Sequence, residues 1–321
     1  MSNEDPATDG GIDSVEGLFQ QLGDTSEYSL TRRERLFRFV DTYVLTPLRI
    51  TWSDWRMRIG IGILVFYSLM GTVGLMIVPK PETNEHALYQ SPFQSMQYPL
   101  GTDGLGQSMF ENLVWATPAM LKMVIAGAVV ASGTGAIIGA VAGYKGGAVD
   151  SLLMFVTDIM LTMPGLPLII VLATIIPLRD PFVVGIILAI DNWPGLARNL
   201  RSQVLTIREK SYVEAARAMD QNSFRILQRD VLPQVMPYIL INAAGAARGV
   251  IFESVGLYFL GLLPFTTFNW GVMMNLAYQK GGAVINPARA GHWLFFPALA
   301  LVGLSFGLIL VSQGLDRVFN P

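Results

Sequence analysis

The chain has 321 residues, of which 52% are hydrophobic and 14% charged, with a formal net charge of −2. A soluble domain needs more charge to cover its surface, so this balance excludes one and marks an integral membrane protein. The charge and the lack of a basic patch with interleaved aromatics give no support to a nucleic-acid partner, and the absence of cysteine excludes disulfides and thiolate metal sites.

Residues 1–30 are acidic, bear Gly and Ser, and are read as a flexible tail without the features of a cleavable signal peptide. Thr31–Arg58 carries seven arginines and suggests an interfacial helix, with Trp52 and Trp55 at the membrane surface. Residues 1–58 are therefore expected to be an N-terminal tail and interfacial segment. The first span, 59–78, is twenty residues without a charge, enough at ~1.5 Å per residue to cross a ~30 Å core. Residues 79–118 form a polar excursion, and 119–316 are expected to form a five-helix core.

Within that core, Ala119–Tyr144 is the second span. Its Ala131, Gly135, Gly139 and Gly143 recur every fourth residue, a stripe along which another helix can approach closely. Tyr144–Asp150 is a tight polar connection. The third span, Leu152–Pro177, is expected to bend at Pro164 and Pro167. The fourth, Phe182–Leu200, is interrupted by Asp191-Asn192-Trp193-Pro194. The fifth runs from Gln234 to Leu263, a second polar excursion covers Phe265–Gly291, and the sixth is Trp293–Leu315.

Between the fourth and fifth spans lies a hydrophilic loop, 205–233. Ser211 followed by Glu214 has the offset of a capping box. Ala215, Ala216 and Ala218 are strong helix formers, and Tyr212, Ala215, Ala216 and Met219 share one apolar face at helical spacing. Pro233 suits the first turn of the next helix, where a missing N–H costs nothing. A short amphipathic helix held between two spans has the character of a docking surface.

Six spans put both termini on one side. Sixteen Lys and Arg fall on the N-terminal side and five on the other, so the positive-inside rule places the termini and loop 205–233 in the cytoplasm.

A search for enzymatic chemistry finds little. The histidines, His86 and His292, are far apart in sequence and read as solvated or interfacial. With no paired-His spacing, a metal site is not expected. No P-loop occurs, so no ATP site of that kind is present, and no nucleophile elbow is found. Charges inside spans are costly and often functional. Asp158, Asp191, Arg248 and Glu253 are such groups. They are read first as interhelical pairs or caps of a broken helix, and otherwise as lining a polar pathway. Arg248 and Glu253 stand five apart, on different faces, so each is expected to pair elsewhere. These groups keep open the alternative of a self-contained secondary transporter or channel, although no inverted repeat supports it.

Glu214-Ala215-Ala216, closed by Leu232-Pro233, resembles the EAA loop of ABC-importer permease subunits. The resemblance extends in order through Tyr98-Pro-Leu-Gly-Thr-Asp103, Ala142-Gly-Tyr-Lys-Gly-Gly147 with Asp150, and Trp193-Pro-Gly-Leu-Ala-Arg198. It continues through Arg208-Glu209, Tyr212–Ala218, Phe259-Leu-Gly261, Asn269-Trp-Gly271 and Phe296-Pro297. Together these are similar to the C-type permease of the dipeptide/oligopeptide/nickel branch. The resemblance implies an all-α, polytopic permease half with six transmembrane helices and a cytoplasmic coupling helix. It implies pairing with a related permease subunit, two cytoplasmic ATP-binding subunits and an extracytoplasmic solute-binding protein, in the cell membrane, with ATP hydrolysed on the partners and no cofactor of its own. The implied ATPase-coupling residues are Tyr212, Val213, Glu214, Ala215, Ala216, Arg217, Met219, Asp220, Leu232 and Pro233. The chain departs from the family at Asp220, where Gly is usual in a turn of positive φ that Asp tolerates at some cost. It departs also at Asp230 and at Gly106-Gln107-Ser108, where Gly-Arg-Asp is common.

Overall fold

The computed structural model describes residues 54–265 and 268–319. The expected tail, most of the interfacial segment and Trp52 lie outside the described residues. Those described are helical, with a single isolated bridge between Thr102 and Ser108 in place of any strand.

The first span is α1 (Trp55–Met70) followed by the short α2 (Gly74–Ile77). It starts four residues before the expected Ile59, because Asp54 caps it by accepting a hydrogen bond from the Arg56 N–H at 2.7 Å. That bond is the main reason the Asp54 carboxyl lies below its usual range.

The second span, α3 (Met109–Lys145), starts ten residues before the expected boundary at Ala119. Pro118, the last residue of the expected polar excursion, sits instead inside the helix, between the buried Thr117 and Ala119. The third span is two helices, α4 (Gly147–Thr162) and α5 (Gly165–Ile175), bent by 92° at Met163-Pro164. The kink expected from the prolines is present, as a right angle. The fourth is also broken: α6 (Pro181–Leu188) ends where Asp191-Asn192-Trp193 intervenes, and α7 (Pro194–Arg208) begins on Pro194.

The loop 205–233 holds α8 (Ser211–Ala218), α9 (Ser223–Ile226) and a π-helical turn (Leu227–Val231). α10 (Leu232–Phe259) follows, with Pro233 in its first turn as expected. The second polar excursion contains an unexpected buried helix, α11 (Trp270–Gln279), capped by the Asn269 side chain on the Gly271 N–H at 2.7 Å. The chain closes with α12 (Pro287–Phe319).

Among the described residues, four helical stretches are long and apolar enough to cross a membrane on their own, and the bent α4–α5 pair makes up to five. The remaining expected span is the α6–α7 pair, whose two helices, of 8 and 15 residues, are each too short to cross alone. Exposed Phe66, Ile125, Phe155, Ile175 and Phe306 give the bundle an apolar outer surface suited to lipid.

α3 is the spine of the bundle, packing against α7, α10 and α6, while α12 runs beside α1. The stripe read from spacing is its contact with α7. A Cβ on Gly135 would lie 2.9 Å from the Trp193 carbonyl oxygen, one on Gly139 2.5 Å from that of Ala197, and one on Gly143 2.8 Å from that of Arg201. The described residues form two cores. The larger centres on Met109, Met120, Tyr258, Trp270 and Trp293. The smaller gathers Ala140, Tyr144, Leu200, Val204, Ile226 and Val235 at the end of α3 that leads to α8.

Candidate functional site

The smaller core holds α8 in place. Val213 and Ala216 point into it and are buried, whereas Tyr212, Glu214, Ala215, Arg217 and Met219 are exposed. The apolar face expected from spacing therefore divides. Ala216 belongs to the chain's own core, because Val213 turns the inward face by one residue. Tyr212, Ala215 and Met219 remain outward, and Phe224 on α9 extends them, with 65% of its surface exposed.

The expected capping box does not form. Lys210 occupies the N-cap, its carbonyl accepting from the Val213 and Glu214 N–H groups at 2.9 and 3.2 Å, and no side chain caps the helix. Ser211 is thereby the first helical residue, and the capping-box offset from the true cap ends on Val213 instead of Glu214. The start of α8 is tied instead through Gln234 of α10. Its Nε2 donates to the Tyr212 hydroxyl and to the Asp230 carbonyl, the latter at 2.7 Å.

The end of α8 closes as the substitution at Asp220 demands. Asp220 has φ +54°, and its N–H bonds to the Arg217 carbonyl at 2.9 Å while that of Gln221 bonds to the Ala216 carbonyl at 3.2 Å. This pair of bonds is a Schellman closure, with Asp in the left-handed position that glycine usually fills. Asp230, the second departure in this loop, lies in the π-helical turn and contributes its carbonyl to Gln234. Leu232 packs against the smaller core, while Pro233 is exposed.

The Tyr144–Asp150 connection meets this helix. The Arg217 guanidinium lies 4.9 Å over the Tyr144 ring, and Arg208 donates to the Gly143 carbonyl at 3.2 Å. A polar cavity of about 560 Å³ opens between them, lined by Tyr144, Lys145, Arg208, Glu209, Glu214 and Arg217. The site thus joins two loops that the sequence offered separately. Behind it, Asp150 receives a bidentate pair from Arg201 at 2.5 and 2.6 Å, which fixes the start of α4 to α7.

The charges inside spans resolve differently. Asp158 pairs with Arg198, and both side chains are more than half exposed. Asp191 and Glu253 converge on Asn192 at the break between α6 and α7. The Asn192 amide donates to the Asp191 carboxylate at 3.1 Å, to the Glu253 carboxylate at 3.2 Å and to the Leu188 carbonyl at 2.8 Å. A Cβ on Gly165 would collide with Asp191, so the bent end of α5 reaches this cluster only as glycine. Asn192 went unnoticed in the sequence as a bridging residue; its place in the span-breaking Asp-Asn-Trp-Pro was the available signal. Arg248 and Glu253 do not pair with each other, as their spacing implied. Arg248 makes no ion pair among the described residues, and its buried Nε has no hydrogen-bond partner.

At the far end of α3, the Tyr98–Asp103 motif folds as a self-bonded loop. The Asp103 carboxylate accepts from the Leu105 and Gln107 N–H groups, both at 2.8 Å. Burial pushes this carboxyl above its usual range, against those two bonds. His292, expected to be solvated or interfacial, is half-buried and hydrogen-bonds the Thr102 carbonyl at 2.8 Å. His86, read the same way, has a side chain only 7% exposed.

Residues 135–321 match the family described as binding-protein-dependent transport system inner membrane component. The chain is 31% identical to the dipeptide transport system permease protein DppC of Bacillus subtilis, over 88% of this chain and 89% of that one. It is 28% identical to the oligopeptide transport system permease protein OppC of the same organism, over 84% and 89%. It is also 28% identical to the glutathione transport system permease protein GsiD of Pectobacterium atrosepticum, over 88% and 93%.

Proposed function

Because the chain belongs to the binding-protein-dependent transport system inner membrane component family, the permeases of ABC importers, we propose that it forms half of a pathway for small peptides. The family provides transport subunits and not enzymes, and its members serve systems with an ATP-hydrolysing partner and a binding protein. A multi-pass plasma-membrane protein follows directly, and a self-contained secondary transporter is not favoured.

The finer reading rests on α8. A helix anchored by Val213 and Ala216 while presenting Tyr212, Ala215 and Met219 outward is built to enter a groove on another protein. In the proposal that protein is a cytoplasmic ATPase, with Glu214 and Arg217 setting the angle of entry from beside the polar cavity. The excess of Lys and Arg on the N-terminal side supports cytoplasmic termini and a cytoplasmic α8. The proposed assembly has a related permease subunit, two ATP-binding subunits and an extracytoplasmic solute-binding protein. Peptides are the proposed solute because the relatives named above are dipeptide, oligopeptide and glutathione permeases.

The test is solute-stimulated ATP hydrolysis by the assembled complex in proteoliposomes. Ala215→Arg and Met219→Glu alter only the outward face and should reduce stimulation by about tenfold or more, the scale of a lost interface anchor, without disturbing insertion. Ala216→Arg is unsuitable, since that side chain is buried in the chain's own core. Stimulation at the wild-type level in both variants would refute the docking role.

A further inference from the structure

The end of α3 opposite α8 carries two buried groups that its hydrogen bonds leave unused. Glu111 is 7% exposed, and its Oε2 has no hydrogen-bond partner. The His86 side chain is equally buried, and its Nε2 likewise lacks one. Glu85 completes the group: one oxygen or nitrogen from each of Glu85, His86 and Glu111 lies within 4.8 Å of the other two, and Glu85 Oε2 is 3.9 Å from His86 Nε2.

The surrounding backbone builds this arrangement. The Asn84 N–H bonds to the Leu105 carbonyl at 2.8 Å and that of His86 to the Gly106 carbonyl at 3.1 Å, laying the Glu85-His86 segment on the loop that leads into α3. Gly106 has φ +72°, and a Cβ there would lie 2.5 Å from the His86 carbonyl oxygen, so the approach requires glycine. Ser108 is the N-cap of α3 and Glu111 its third residue, the offset of a capping box, yet no such bond forms and Ser108 Oγ is also buried without a partner. The Glu111 carboxylate is thus held beside His86 instead of capping its own helix.

A buried carboxylate and an imidazole nitrogen without partners are costly unless a cation or protons satisfy them. One imidazole with two carboxylates suits a borderline divalent ion, and the two negative charges balance it. Tetrahedral zinc holds its ligands ~2.0–2.1 Å from the metal and so about 3.4 Å apart. The Glu85 side chain, 42% exposed, is free to turn toward the other two groups. We propose that Glu85, His86 and Glu111 bind a divalent cation of the zinc class, with water completing the coordination, and that the ion clasps the Glu85-His86 segment onto the start of α3.

The test uses the full chain in its detergent-solubilised complex, purified without a histidine tag and stripped with a chelator. Titration with Zn²⁺ should show one more equivalent bound by wild type than by His86→Ala. Glu111→Gln should weaken that equivalent at least tenfold. Glu85→Gln, at an exposed position, should weaken it several-fold, which keeps the test decisive if a buried variant misfolds. His292→Ala, removing the other histidine, should leave it intact. Co²⁺ in the same site should give visible absorption that the His86 variant lacks. Equal stoichiometry and affinity in wild type, His86→Ala and Glu85→Gln would overturn the proposal, as would an equivalent lost only in His292→Ala.

Discussion

Two glycines six residues apart on α3 test whether the small-residue stripe sets the helix separation. A Cβ on Gly139 would lie 2.5 Å from the Ala197 carbonyl oxygen and 2.9 Å from Leu200 Cβ, whereas one on Gly133 meets nothing within 4 Å. Carbon–oxygen contacts settle at ~3.3–3.6 Å, so Gly139→Ala forces α7 back by about 0.8 Å. Overpacking of this kind costs ~1–3 kcal/mol. Both substitutions gain the same helix propensity, ~0.5–1 kcal/mol, so the difference between them isolates the clash. Unfolding of the purified chain in mixed micelles, titrated with denaturing detergent, should place Gly139→Ala below Gly133→Ala by ~1–3 kcal/mol. Gly135→Ala and Gly143→Ala, whose closest approaches are 2.9 and 2.8 Å, should fall between. If Gly139→Ala proved as stable as Gly133→Ala, the stripe would not be the contact that fixes α7.

Asp220→Gly should relieve about 1 kcal/mol of left-handed strain, read as roughly fivefold slower amide exchange across residues 211–221 with solute-stimulated ATPase activity retained. Arg201→Leu should cost ~1–3 kcal/mol by stranding Asp150, and the double variant with Asp150→Asn should recover part of that loss, a coupling measurable by a double-mutant cycle. The raised Asp103 carboxyl favours the folded state most strongly below its ordinary value of 3.8 and loses that contribution as pH rises through its folded value. Asp103→Asn keeps an acceptor for the Leu105 and Gln107 N–H groups, so stability measured against pH should flatten over that window and be no lower than wild type at neutral pH.

What could be read from the sequence depended on whether the signal was local and periodic. The stripe at Ala131, Gly135, Gly139 and Gly143 was legible because small residues at a spacing of four have few other uses in a span. The positive φ at Asp220 was legible because a helix end followed by a new helix needs a left-handed residue. The inward turn of Ala216 was not, since an eight-residue helix shows two adjacent faces of similar polarity and only Val213 in the smaller core decides between them. α11 was missed because its burial comes from residues distant in sequence, and the start of α3 because Pro118 reads locally as a stop. The convergence of Glu85 and His86 on Glu111 was hidden for the same reason: a turn at Gly106, 25 residues or fewer from each, brings them together without any motif spacing.

The length of α3 has a mechanical consequence. Its 37 residues are unbroken from the Glu111 cluster to Tyr144 beneath Arg217, about 55 Å at the usual rise. A strut of that length pivoting about its middle moves its two ends in opposite directions, and a tilt of about 5° displaces each by roughly 2.4 Å. A push on α8 through Tyr144 would therefore arrive at the opposite end of α3 as a sideways shift of the helix start. Whatever grips that start sets how freely the strut can swing.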